Sequence, residues 1–255
     1  MNYLAIVQAR LGSSRLPKKV LLDLAGRPIL KLVYERLKAS RRLDEVVIAT
    51  TIAPEDTAVV AAAVEMGARV YVGSESDVLD RYYQAARLLL PENVVRVTAD
   101  CPLIDPEVLD ECIELHEREG ADYTSNTIEP SYPDGLDVEV FCRSALERAW
   151  KEARLGSERE HVTPYIKKHP ELFRLARLIN QDDHSDLRWT IDEAEDYQFL
   201  TSVFANAGPQ GPTELRMKDV LAFLQDNPDV QKINQQIGRD EGYQKSLAED
   251  EKQEQ

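Results

Sequence analysis

Cysteine and aromatic residues are scarce in this chain: 255 residues contain three Cys, and Phe, Trp and Tyr together make up 7%. Cys101, Cys112 and Cys142 fit neither a disulfide framework nor a C-x-x-C metal pattern, so a reducing cytoplasm is the expected setting. His116, His169 and His184 show no metal-ligand spacing. No apolar run approaches the roughly 18–20 residues of a membrane span. The opening MNYLAIVQAR has neither a basic flank nor a cleavage site, so it reads as a strand and not as a signal peptide. Positive charge is in deficit, with 31 Lys and Arg against 46 Asp and Glu and a net charge of −15. That balance argues against nucleic acid or an anionic membrane as partner.

What is present is an ordinary globular mixture, 43% hydrophobic and 30% charged, long enough for one large domain or two small ones. The charge is unevenly spread. From Arg10 to Arg42 there are ten Lys and Arg and only two acids, a local +8, which leaves −23 on the remainder. A basic cluster on an acidic chain points to a discrete anion site, although Lys38, Arg41 and Arg42 also suit a solvated helix end.

Strand-like runs alternate with helical patterns through the first half. LAIVQA, EVVIATT, ARVYV and VVRVT are apolar runs of strand length. Between them Ile29, Val33 and Leu37, then Val59, Val60, Ala63 and Val64, then Leu79, Tyr82, Tyr83 and Ala86 recur at helical spacing, with Gly67 placed to end the second helix. Asp105-Pro106 opens a further helix to about Gly120. This predicts an α/β fold with a mostly parallel sheet covered by helices on both faces, where ligands sit outside the carboxyl ends of the strands. In the second half LDVEVF, RLARLI and LRWTI read as strands, the first forming a small antiparallel element around 132–142. Helices are expected around 144–154, 158–168, 194–206 and 216–226. From Arg239 the chain is polar and poorly patterned, and a frayed helix or disordered tail is expected there.

The loop after the first strand, Ala9-Arg10-Leu11-Gly12-Ser13-Ser14-Arg15-Leu16-Pro17-Lys18-Lys19, joins a glycine, two hydroxyls and four cations. Exposed backbone N–H groups with fork-shaped and point-charge cations are what a polyphosphate requires. The loop is not G-x-x-x-x-G-K-[ST], so it is no Walker A motif. Asp100 closes the strand VVRVTAD, where a Mg²⁺ ligand or a turn cap would stand. Cys101 beside it reads as a small buried filler. In RWTID the strand period places Arg188, Thr190 and Asp192 on one face, while Asp192-x-x-Glu195 is also a capping box. Arg188 suits either a substrate carboxylate or an internal acid. Asp137 and Glu139 share a strand face and suit sugar hydroxyls or solvent. His161 follows a second capping box, Ser157-x-x-Glu160, with a substrate contact and a structural role both open. Asp77 suits a helix cap.

R-x-G-S-S-R-L-P-x-K followed by Gly26-x-Pro28 resembles the N-terminal signature of CTP-dependent sugar cytidylyltransferases, above all the spore-coat polysaccharide group, related to the 3-deoxy-manno-octulosonate and acylneuraminate enzymes. GSESDVLDRYYQAA, VTADCPLIDP, YPDGLDVEVF, RWTIDEAED and EGYQKSL extend the likeness over most of residues 3–247. The resemblance implies the nucleotide-sugar transferase fold, assigned to a domain over 1–238, and polar composition sets 239–255 apart as a tail. It implies transfer of CMP from CTP to a sugar hydroxyl in glycoconjugate synthesis, and a homodimer. Gln8, Ala9, Arg10, Gly12, Ser13, Ser14, Arg15 and Lys19, with Asp77 and Arg81, would then hold CTP. Arg15, Lys19 and Asp100 would be catalytic, and Asp100 and Asp192 would bind Mg²⁺. Asp137, Glu139, His161 and Arg188 would face a small sugar acceptor, a 2-keto sugar acid by analogy. Lys18 departs from the family's usual glycine. Another NTP donor, or a regulatory relative that binds nucleotide without turnover, is the alternative.

Overall fold

The computed structural model describes residues 2–13, 15–206 and 211–253. Its central strand is Tyr3–Gln8 (β1). Tyr3, Ala5 and Val7 enter one hydrophobic cluster, and Leu4 and Ile6 enter the other, on the opposite face of the sheet. A strand apolar at both parities needs helices on both faces. After β1 come a two-residue antiparallel ribbon, Asp23–Leu24 (β2) with Arg27–Pro28 (β3), and helix Ile29–Lys38 (α1). Glu45–Thr51 (β4), Thr57–Glu65 (α2), Arg69–Gly73 (β5), Val78–Leu89 (α3), Asn93–Thr98 (β6) and Pro106–Glu119 (α4) continue the alternation. Asp77 caps α3 by accepting from the Asp80 N–H, and Asp105 caps α4 by accepting from Glu107.

The remaining elements are Tyr123–Ser125 (β7), Glu139–Cys142 (β8), Arg143–Glu152 (α5), Gly156–His161 (α6), Pro164–Lys168 (α7) and Leu175–Arg177 (β9). Ala194–Ala205 (α8), Met217–Asp226 (α9), Pro228–Gln231 (α10) and Glu241–Gln253 (α11) follow. The large sheet has the order β5-β4-β1-β6-β8-β7-β9. All its adjacent pairs are parallel except those of β8, which runs against both β6 and β7. The chain moves from β1 outward to β4 and β5, then returns past β1 to β6. Strand order therefore reverses between β1 and β6, and a cleft opens outside their carboxyl ends. Among the described residues no helix is long and apolar enough to cross a membrane.

Four expectations change. The antiparallel element begins only at Glu139 and belongs to the main sheet. The helix expected over 158–168 is broken in two, because Val162 sits at φ +72 and Pro164 starts the next turn. RWTI is not a strand but makes one isolated bridge, Asp134 to Arg188, and Arg188 and Thr190 are buried along with Trp189 and Ile191. The polar segment from Arg239 takes the helical of its two expected forms, but packed rather than frayed. Helix α11 docks on α6, with the buried Asp250 carboxylate accepting from the Ser157 N–H at 3.2 Å. Its docking face is made of hydrogen-bonding groups, so hydropathy does not reveal it.

Candidate active site

At the reversal point Lys19 reaches across the cleft. Its Nζ donates to Asp100 Oδ2 at 2.7 Å and to Asp192 Oδ1 at 2.6 Å. Burial alone would lower the lysine pKa, but the two carboxylates outweigh it and hold the ammonium above its ordinary value. Burial would likewise raise Asp100, and Lys19 overrides this to keep its carboxyl at about 2. Both carboxylates are thus aimed at one point. Asp192 is free to do this because helix α8 is capped one residue later than expected. The Asp196 carboxylate accepts from the N–H groups of both Asp192 and Glu193, so the capping pair is not Asp192 with Glu195.

Lys19 is placed by the turn before it. Lys18 has φ 58 and ψ 22, the left-handed conformation, and opens the single helical turn Lys19–Leu21. The position that resembles a family glycine is therefore one whose backbone favours glycine. Arg15 closes the other side of the cleft, with salt bridges to Asp192 at 3.0 Å, Glu193 at 3.1 Å and Glu241 at 3.2 Å. Arg10 is half exposed and lies 3.8 Å from Glu160.

The cleft holds two cavities that share walls. One, of about 480 Å³, is lined by Gln8, Ala9, Arg10, Gly12, Ser13, Arg15 and Lys19, then Arg81, Asp100, His161 and Asp192. Ser14 lies outside the described residues. Arg81 is 2% exposed and faces this cavity, with Nε and Nη1 lacking any hydrogen-bond partner among the described residues. Burial pushes its guanidinium below the ordinary value. An unsatisfied buried guanidinium costs free energy that an acceptor oxygen would recover. Asp77 is not part of this lining. Its carboxylate caps α3 and binds Arg159, with Nε at 3.0 Å.

The second cavity, of about 520 Å³, contains Asp137, Glu139, His161 and Arg188 beside Asp100 and Asp192. Arg188 is held inside a carboxylate cage, with Asp196 at 2.9 Å, Asp134 at 3.0 Å and Asp192 at 3.4 Å. Of the two roles open to it, internal pairing is the one observed. Asp137 is bound by Arg239 at 2.5 Å. Gly135, at φ +108, brings this loop against RWTI, where a Cβ would lie 2.6 Å from the Trp189 carbonyl carbon. Buried Glu139 pairs with Arg96 directly across the β6–β8 ladder and accepts from Tyr123 and Thr163. Burial would raise its pKa, but Arg96 and then Lys167 hold it at about 2. Sequence reasoning missed Arg96 and Lys167, although a lone arginine inside the apolar run VVRVT was a usable signal.

His161 ends α6 rather than starting it, because the residue bonded to the Leu155 N–H is Glu158, not Glu160. Burial lowers its pKa, and its Nε2 lies 3.0 Å from Ser246 Oγ on α11. Cys101 is buried with its thiol pushed well up by burial, in keeping with a filler.

A cationic loop at the reversal point of a parallel sheet, facing two converging carboxylates, places the chain among nucleotide-handling α/β enzymes. Residues 4–208 match the family described as cytidylyltransferase, and the chain belongs to that family. It is similar to the spore coat polysaccharide biosynthesis protein SpsF of Bacillus subtilis, 34% identical over 236 residues, covering 90% of this chain and 96% of that one. A 3-deoxy-manno-octulosonate cytidylyltransferase of Geobacter sulfurreducens is 39% identical over 115 residues, 44% of each chain. The solved structure of a cytidylyltransferase from Leptospira borgpetersenii superposes with a TM-score of 0.87 at 34% identity, covering 94% of this chain and all of that one.

Proposed function

We propose that the chain transfers CMP from CTP to a hydroxyl of a sugar acid, releasing pyrophosphate, in the synthesis of surface polysaccharide precursors. The observation that carries the reading is the Lys19 ammonium held between Asp100 and Asp192 beside the cationic loop. The acceptor hydroxyl gives up its proton to solvent as its oxygen attacks the α-phosphorus, the bond from that phosphorus to the bridging β-phosphate oxygen breaks, and charge moves onto the leaving pyrophosphate. Lys19 and Arg15 act by neutralising that charge, and Gln8, Ala9, Arg10, Gly12, Ser13 and Ser14, with Arg81, by fixing the nucleotide. No covalent intermediate is needed.

Asp100 and Asp192 suit Mg²⁺, since two hard oxygens converge within 2.7 Å of one nitrogen. Among the described residues no cluster of three or more His, Cys, Asp or Glu could hold a metal alone, so phosphate oxygens would complete the shell. Bound there, Mg²⁺ would supply charge neutralisation of the triphosphate. The name of the Geobacter relative supports a sugar-acid acceptor, and SpsF supports a polysaccharide role. In the second cavity two cations, Arg96 and Lys167, flank the one carboxylate of Glu139, a local cationic spot for an acidic sugar in a lining that otherwise holds more acids than cations.

CTP with Mg²⁺ should raise the melting temperature more than ATP, GTP or UTP, because a ligand bound only to the folded state stabilises it. Lys19→Ala should slow pyrophosphate release by roughly 10²–10³-fold, the loss typical of a deleted preorganised donor. An equal shift with all four nucleotides would count against cytidine as the donor base.

A further inference from the structure

The polar segment after Arg239 crosses both cavities. Arg239 binds Asp137 in the second cavity, and Glu241 binds Arg15 at 3.2 Å. Asp240, between them, has φ +60. From there α11 presents Gly242, Lys245, Ser246 and Glu249, at i, i+3, i+4 and i+7, to the first cavity. The helix is held in place by its other contacts. Ser246 Oγ bonds His161 and Glu160, Tyr243 meets the His161 ring edge-on at 5.1 Å, and Asp250 accepts from Ser157. Lys245 is exposed and has no salt-bridge partner among the described residues.

We propose that α11 is part of the donor site, with Lys245 binding the phosphates of the nucleotide and Glu241 competing with those phosphates for Arg15. This rests on the reading of the first cavity as a CTP site. A flexible ammonium on a docked helix facing a cationic loop adds to the field on a polyphosphate between them. Arg15 Nη1 already serves Glu193 and Glu241, and a phosphate oxygen arriving there displaces the more exposed carboxylate, Glu241. The two residues, four apart on one helix, therefore have opposite effects on the same ligand.

The test is titration calorimetry of CTP and Mg²⁺ with the full chain. Lys245→Ala should weaken CTP binding about fivefold, and Glu241→Gln should tighten it by about the same factor, the upper range for exposed charge pairs. Lys245→Arg should restore affinity, and the Lys245→Ala loss should shrink at high salt. Both side chains are exposed, so melting temperatures should stay within a degree or so of the wild type. Damage to the helix would weaken binding in both variants, so opposite signs separate a ligand contact from a structural role. Unchanged affinity in Lys245→Ala, or weaker binding in Glu241→Gln, overturns the proposal. A wild-type chain that binds no CTP overturns the donor-site reading beneath it instead.

Discussion

Asp192 is the residue whose role is most open to test, because three cations meet its carboxylate and each has another acid. Lys19 keeps Asp100, Arg15 keeps Glu193 and Glu241, and Arg188 keeps Asp134 and Asp196 if Asp192 loses its charge. Asp192→Asn should therefore cost less than about 1 kcal/mol of stability, in the range of partly exposed ion pairs. As a metal ligand it should lower turnover sharply and raise the Mg²⁺ concentration at half-maximal rate. Normal rate and metal dependence in Asp192→Asn, beside an inactive Asp100→Asn, would leave Asp100 as the sole carboxylate ligand. The sequence placed Asp192 on the right face but capped the helix one residue early. Asp192-x-x-Glu195 and Glu193-x-x-Asp196 are equally acidic patterns, and only the fold decides between them.

The turn that delivers Lys19 is an element under strain. Lys18 is exposed and left-handed, a conformation in which a Cβ crowds the backbone. Lys18→Gly should stabilise the chain by about 1 kcal/mol, the left-handed penalty less the extra chain entropy of glycine. Urea denaturation would measure it, and a destabilised variant would mean that the Lys18 side chain makes an important contact. Elements of the first half were legible because long apolar runs alternate with capped helices, as at Asp105-Pro106 and Gly67. Short elements escaped. Tyr123–Ser125 has three residues, and its strand character comes from pairing with β8 and β9 rather than from its own pattern. Helix α11 was expected only as a frayed helix or a disordered tail, because it is held by Ser246, Tyr243 and Asp250 instead of an apolar stripe, so its docking and the part of the cavity it supplies were not legible.

Across the protein, charge is buried around the cleft in two opposite ways, and pH separates them. Asp100 and Glu139 are held near 2 because Lys19 and Arg96 outweigh their burial. They add stability above the ordinary carboxylate range and lose it only as pH falls towards 2. Asp134 and Asp137 are both held above that range, by burial first and then by repulsion from neighbouring acids, in spite of Arg188 and Arg239. The folded chain thus binds more protons at these two sites than the unfolded chain. Their contribution is complete below the usual aspartate value of about 3.9 and is lost as pH rises towards neutrality. Buried His116 and half-buried His161, held below their ordinary value by desolvation, push the other way under about pH 6.5. The total therefore hides the carboxylate effect, and a difference reveals it. Asp137→Asn should be about as stable as the wild type at pH 5, where the Asp137 carboxyl, pushed up to about 6, is still largely protonated and Asn replaces it as another neutral group. The variant should then gain on the wild type as pH rises from 5 to 8, since only the wild type must ionise a second buried carboxylate beside Asp134. Thermal denaturation of both proteins across that range measures the gap. A variant that is already less stable at pH 5, with a difference that stays constant up to pH 8, would mean that Asp137 is charged at pH 5, with Arg239 outweighing burial.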